Sequence, residues 1–408
     1  MRSAVASLLC LLMAAGPQER TRLPVVALRN ATLALDPATT VVGTLVLRAG
    51  LIESAGPETT VPADAEIIDA TGLFVYPGFV DGLTTAGLGD TKRSPEERKK
   101  AESTAVDFVA DSLGGMEPAN RKGIRPEYRA ADAVAFGEDD LKKIQKGGFT
   151  AVHVAASEEY LGGSAALVAM NGGTRREIVV RPRTGMAGSF RSYGDGYPST
   201  PMGILAHLRQ VLLDSRRLRE QAAAYEKDPK GRLRPPSDRA LESIWPVFDK
   251  EIPLFMEANT ELEIERALGL AAEFTFDLVI TGGRESGLVA DRLKEAGARV
   301  ILGLKFPREP KRPKKAPAEL KEGEYEELPK SKKQYDDEKR EWERRVRSAI
   351  TLHEKGVPFA FSTMGLDDPA AALKQVSKLV SRGLPRDAAL RALTETPAAI
   401  FRAESSYG

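Results

Sequence analysis

Five short, nearly continuous apolar runs constrain this chain more than any other feature: GGFTAVHVAA (147–156), EIPLFMEA (251–258), FDLVITGG (276–283), ARVILGL (298–304) and GVPFAFSTMG (356–365). Stretches of helical periodicity lie around them, at 201–226, 260–273, 286–296, 338–355 and 369–382. A strand that is apolar on both faces must be covered on both, and strands alternating with amphipathic helices build a parallel sheet with helices outside it. Repeated units of this kind favour a closed barrel over an open sheet. The expectation is an α/β fold with a (β/α)8, TIM-like barrel over residues 76–408. The helix 338–355 should end with Lys355 in its last turn and Gly356 as the residue that leaves the helix.

Ahead of the barrel the period changes. VVALRNATLAL, GTLVLRAGLIESAG and AEIIDATGLFVYPG alternate apolar and polar residues and are separated by Gly50, Gly56 and Gly72. That pattern predicts a small, incomplete β-sandwich element within residues 17–75. Residues 1–16 read as a secretory signal. Arg2 gives a basic start, Ala4 to Ala15 is apolar but too short to span a bilayer, and Ala14, Ala15 and Gly16 suit cleavage. The one cysteine, Cys10, lies inside this segment, and Leu8 and Leu9 before it do not suit lipid attachment. No later stretch is apolar enough to span a membrane. The expectation is an exported, periplasmic protein.

Composition narrows the chemistry. Lys and Arg total 59 against 58 for Asp and Glu, so no excess of positive charge points to nucleic acid or an anionic membrane. Three histidines and one cysteine exclude a disulfide framework and a cysteine-rich zinc module. Residues 306–347 are more than half charged with mixed signs, and read as a solvated insertion that becomes helical in its later part. A second polar excursion, 89–135, contains GIRPEYRAAD. LGGSAALVAMNGG (161–173) lacks the spacing of a phosphate-binding loop and reads as a loop excursion after a strand, with no histidine placed to activate Ser164. RSYGDGYPSTPMG (191–203) puts Arg191, Tyr193, Asp195 and Tyr197 on a loop that reads as a solvated connection.

The order of a small β element, then PGFVDGLTTAGL, then a barrel resembles the amidohydrolase superfamily, in particular imidazolonepropionase-like metal-dependent hydrolases. GTLVLRAGLIESAG and VPADAEIIDATGLFVYPGFVD resemble the family's entry into its first barrel strand. GVPFAFSTMG and SRGLPRDAALRALTETPAAIF resemble its last strand and following helix. The resemblance covers most of residues 24–403. It implies hydrolysis of C–N bonds by zinc-activated water at the C-terminal mouth of the strands. It also implies strands returning after the barrel to complete the N-terminal element. The sequence stops at FRAESSYG, so a truncated chain is expected.

The same resemblance locates the metal ligands, and this sequence departs from the pattern at each. The paired histidine positions after the first strand hold Leu83 and Thr85, the strand-five position holds Glu257 and the strand-six position Gly282. The strand-eight aspartate, implied as the proton acceptor, is Met364. Other candidates are few. His153 sits mid-strand and reads as a hydrogen-bonded interior residue, His207 reads as a helix-surface or groove residue, and His353 occupies a last helical turn. Asp81 ends the first strand, where structural hydrogen bonding or catalysis is open to it.

Three readings follow. A metal-dependent hydrolase acting on carbon–nitrogen bonds rests on the global resemblance. A pseudoenzyme, with no metal and no cofactor, rests on the five substituted positions; it would bind a small molecule at the mouth or a protein partner. A metal-independent hydrolase would use Asp81 and Glu257, with His153 as a further candidate. A homo-oligomer is open to each of them.

Overall fold

The computed structural model describes residues 24–89, 115–156, 159–191, 196–311 and 331–407. The expected signal segment, residues 90–114 of the first polar excursion and residues 312–330 of the charged insertion therefore lie outside the described residues. The chain divides between Tyr76 and Pro77 into two compact units.

The first unit is a five-stranded sheet. Strand β1 (Val25–Ala34) pairs antiparallel with β2 (Thr40–Arg48), which pairs antiparallel with β3 (Leu51–Gly56). On its other side β1 runs parallel to β4 (Glu66–Asp69) and β5 (Phe74–Val75). Ala49 and Gly50 both have positive φ, as the two-residue hairpin between β2 and β3 requires. A register shift between Leu28 and Ala31 contains Asn30, at φ 60°, a conformation Asn tolerates better than most side chains. All four residues of the edge strand β4 are exposed, Ile67 and Ile68 included.

The second unit is an eight-stranded, nearly closed barrel. Its strands stand in chain order: β6 (Phe79–Thr84), β7 (Phe149–Val154), β8 (Leu161–Ala169), β9 (Val179–Ser189), β10 (Leu254–Ala258), β11 (Leu278–Gly282), β12 (Arg299–Gly303) and β13 (Phe359–Ser362). The apolar runs of the sequence are β7 and β10 to β13. One expectation is corrected. LGGSAALVA is no loop but β8, buried at every position and antiparallel to both neighbours. The connection from Val154 to Leu161 is too short for the helical crossover that a parallel strand needs, so the chain turns straight back. The barrel therefore has seven strands in one direction and one reversed, rather than eight βα repeats.

Helices cover the outside: α1 (Glu138–Lys146), α2 (Pro201–Lys227), α3 (Glu261–Phe274), α4 (Ala290–Glu295), α5 (Lys332–Lys355) and α6 (Ala372–Ser381), followed by the shorter α7 (Arg386–Arg391) and α8 (Glu395–Ile400). Their starts are written in the sequence. Thr200 caps α2 ahead of Pro201, Thr260 and Glu263 form a reciprocal capping box on α3, and Ser331 and Gln334 form another on α5. Gly356 ends α5 at φ 72° with its N–H on the His353 carbonyl.

Two apolar clusters result. The larger lies between helices and strands. The smaller fills the barrel and includes Val80, Ala151, Leu167, Ala187, Phe255, Val279, Ile301 and Ala360, with Ile400 and Phe401 from the end of the chain. Arg402 donates to the carbonyls of Lys250 and Glu251, just before β10, and its own carbonyl accepts from Arg181 at the start of β9. The segment after α8 thus seals the N-terminal end of the barrel.

Candidate functional site

The C-terminal ends of the strands form the mouth, where loops would carry chemistry in such a barrel. Phe255 belongs to the interior cluster, and side chains alternate along a strand, so Glu257 also points inward, one layer nearer the mouth. Leu83 and Met364, from the ends of β6 and β13, pack on that same cluster. Thr85 is exposed at the lip. The five positions singled out in the sequence all lie at strand ends facing one side of the barrel.

Glu257 pairs with Arg191, which the residues after β9 carry across from a separation of 66 positions. Asn259 Nδ2 stands 3.5 Å from the same carboxylate oxygen. Gly282 adopts φ +87°, open to glycine and strained for other residues, and a Cβ built there would lie 2.6 Å from Asn259 Oδ1. The Asn259 carboxamide therefore occupies the space into which a strand-six side chain would project. Asn259 is held there by its N–H on Glu263 Oε2 (2.7 Å) and its carbonyl on the Glu285 N–H (3.0 Å).

Asp81 serves the barrel seam. Strands β6 and β13 are the two ends of the ladder order, and side chains join them. Thr363 N donates to Asp81 Oδ1 at 2.8 Å and the Thr363 hydroxyl to Oδ2, Leu83 N adds a bond to Oδ1 at 3.3 Å, and Ser362 Oγ donates to the Leu83 carbonyl at 2.7 Å. Burial pushes the Asp81 carboxyl up to about 7, against the opposing pull of these bonds. With both oxygens engaged and 2% exposure, Asp81 cannot reach a substrate, and a carboxylate pair with Glu257 has no second member.

His153 is interior, as its strand position predicts. A carbonyl only accepts, so Nδ1–H donates to the Gly82 carbonyl (2.9 Å), and Nε2 accepts from the Thr184 hydroxyl (2.8 Å). Its ring stacks on Phe401 at 4.1 Å and lies 4.8 Å from Phe255. Desolvation in this dry setting lowers its pKa to about 3, so the ring is neutral. Gly82 is glycine because a Cβ would fall 2.6 Å from both Ile301 and the Phe361 carbonyl.

His207 departs from expectation. It is buried, with 1% exposure, under the rings of Tyr160 and Tyr197, and its Nε2–H donates to the Lys122 carbonyl at 2.9 Å. Burial lowers its pKa. The helical pattern of α2 did not disclose this, because the covering rings arrive from two separate loops. Tyr197 is thereby a packing residue, while Tyr193 and Asp195 lie outside the described residues. Ser164 is buried in β8, its hydroxyl 3.5 Å from the Tyr128 carbonyl, with no histidine bonded to it.

The amidohydrolase resemblance implies zinc at this mouth, and the donors present do not fit one. Leu83, Thr85, Gly282 and Met364 offer neither imidazole nor carboxylate, Glu257 is engaged by a guanidinium, and zinc sites use three or four such ligands. Among the described residues no group of three or more His, Cys, Asp or Glu is placed to hold a metal ion, and no helix is long and apolar enough to cross a membrane.

No protein-family model and no curated protein matches the sequence. Among solved structures, an amidohydrolase from Thermotoga maritima is similar with a TM-score of 0.71 and 23% identity, over 94% of this chain and 90% of that one. A Xaa-Pro dipeptidase with bound methionine gives a TM-score of 0.48 at 14% identity, over 94% and 90%, too low a score to add to the assignment. The first likeness matches what the strands and their order display. By fold, this chain is a nearly closed eight-stranded α/β barrel like that of the Thermotoga maritima amidohydrolase, preceded by a small N-terminal sheet unit.

Proposed function

We propose that this hydrolase-like barrel has set aside the metal-dependent C–N hydrolysis of the superfamily and uses its mouth to bind a ligand or partner. The observation that carries the reading is the strand-six position. Gly282 not only lacks a ligand but sits in a left-handed conformation with a carboxamide in the space a side chain would need. Leu83 and Met364 extend the same trend, replacing metal donors with apolar surface. The loss of a strand-eight carboxylate also leaves no base to take a proton from bound water. Fold alone does not guarantee activity.

The basic start, apolar run and small residues of 1–16 further support export to the periplasm, with the mature chain opening on the sheet unit of 17–75 and continuing as the barrel of 76–408 with its insertion at 306–347. N-terminal sequencing of protein from a native extract tests this part; an intact Met1 in a cytosolic fraction refutes it. Metal analysis after dialysis against a weak chelator, with hydrolysis assays on dipeptides, cyclic amides and imidazolones, tests the loss of catalysis. Stoichiometric zinc retained by the wild type, and lost together with turnover in Glu257→Ala, would refute it.

A further inference from the structure

Glu257 carries an unmet chemical demand at the mouth. Glu257 Oε1 takes the Arg191 guanidinium, but Glu257 Oε2 is buried and has no hydrogen-bond partner among the described residues. A buried carboxylate oxygen without a donor is costly, more so when the group is charged, so a missing partner is a ligand's opportunity. The two members of the ion pair differ in mobility. Glu257 stands on a barrel strand with 12% of its side chain exposed, whereas Arg191 follows β9 with 58% exposed. A guanidinium that is more than half exposed returns to water at little cost. The carboxylate has no such freedom.

We infer, on the reading of this mouth as a binding site, that it takes a small organic ammonium ion with an apolar body. The ammonium donates to Glu257 Oε2 and Oε1 and displaces Arg191, while the apolar body takes its surface from the strand ends, where Met364 is partly exposed over the interior cluster. Charge decides the class. With Arg191 released, Glu257 is left as a carboxylate without its cation, so a monocation restores the balance and an anion would face like charge. A metal cation finds no group of three or more His, Cys, Asp or Glu here among the described residues. A primary ammonium carries three N–H donors on one centre, enough for both oxygens of Glu257 with one left for Asn259. Arg191 is then an internal stand-in for the ligand's cation.

The test uses the full chain with cyclohexylamine, protonated at neutral pH, against cyclohexanol, by calorimetric titration and ligand-observed NMR. The amine should bind at least about tenfold more tightly than the alcohol, as a charge-assisted bond to a buried acceptor requires. Glu257→Gln should abolish that preference. Arg191→Ala should tighten the amine by about threefold or more, most strongly at low salt, because it removes the competing cation. Equal binding of amine and alcohol, or a preference untouched by Glu257→Gln, overturns the inference, as does weaker amine binding in Arg191→Ala. Should Glu257→Gln not fold, the amine-to-alcohol ratio and the Arg191 variant decide alone. Release of cyclohexylamine from N-cyclohexylacetamide would refute the non-catalytic reading and leave amine recognition standing, so the two fail separately.

Discussion

The two ends of the barrel are built on opposite plans. At the N-terminal end, Phe401 enters from the segment after α8 and stacks on His153, with Phe255 beside them, and each polar atom of the imidazole has a partner. At the C-terminal end, Glu257 keeps an oxygen without a partner among the described residues, Gly282 holds a left-handed backbone, and Arg191 reaches in from the loop side. Positive φ occurs at both ends, at Lys250 and Arg402 beside the filled one as well as at Gly282, so the contrast rests on the polar groups: a buried polar atom without a partner marks a place shaped by something other than stability. The filled end shows how the barrel is held together, and the other is where the proposed ligand would sit.

The largest effect is expected at the filled end. Phe401→Ala removes a fully buried ring from between His153 and the base of the barrel and should cost about 3–5 kcal/mol, the range for Phe deletion from a packed core. Denaturant titration followed by a barrel probe measures it. A loss below about 1 kcal/mol would mean the plug is peripheral and the contrast between the ends is weaker than drawn.

Next come two buried groups whose pH dependences oppose each other. Asp81 is raised to about 7, so the folded state holds its proton while the unfolded carboxyl has already lost it; the stability this contributes is present below about 4 and fades as pH rises to about 7. His153 is lowered to about 3, so the unfolded imidazole takes up a proton first; its contribution is present above about 6.5 and fades as pH falls towards 3. Between pH 4 and 6.5 the two largely cancel. Asp81→Asn keeps an acceptor for Thr363 N and Leu83 N and removes one side of the balance. Its stability relative to wild type should improve by up to roughly 4 kcal/mol from pH 4 to pH 7, at 1.4 kcal/mol for each pKa unit. Unfolding curves at pH 4, 5.5 and 7 check the sign, and a difference that shrinks with pH contradicts the buried-seam account.

Gly282→Ala should destabilise by about 1–3 kcal/mol, from a strained φ and a contact with Asn259 that a Cβ cannot share. Pairing it with Asn259→Gly separates the two causes. If the contact dominates, the double variant recovers most of the loss; if the backbone dominates, the losses add.

These experiments also bear on what the sequence disclosed. The apolar runs located β7 and β10 to β13, because a strand covered on both faces carries no polar alternation to hide it. β8 escaped because Gly162, Gly163, Gly172 and Gly173 read as turn chemistry, although the first two let it pass against Ala156 and Tyr128. The start of α5 at Lys332 was legible in Ser331 and Gln334 but was masked by the charge of the surrounding insertion. The Glu257–Arg191 pair and the rings over His207 were not legible, since they join residues that only tertiary structure brings together; Glu257 lies beside Ser189 in the β9–β10 ladder, which sets Arg191 within reach. The strand-end positions were readable from a resemblance; their conformations were not.

The smallest expected effect is at the mouth itself. Met364 is partly buried and packs on the interior cluster from one side only, so Met364→Ala should cost about 1–2 kcal/mol, less than the 2–5 kcal/mol of a fully buried Met or Leu. Its backbone N–H remains bonded to Ser362 Oγ at 3.0 Å whatever the side chain, so the seam should persist and hydrogen exchange of β13 should be unchanged. The same substitution removes apolar surface from the strand ends. If the mouth binds an apolar body, Met364→Ala should weaken cyclohexylamine several-fold while lowering stability little. Phe401→Ala should do the reverse, lowering stability greatly while leaving affinity in the folded fraction almost unchanged. Should both variants lose stability and binding in the same proportion, the two ends act as one packed unit, and the division of labour between them fails.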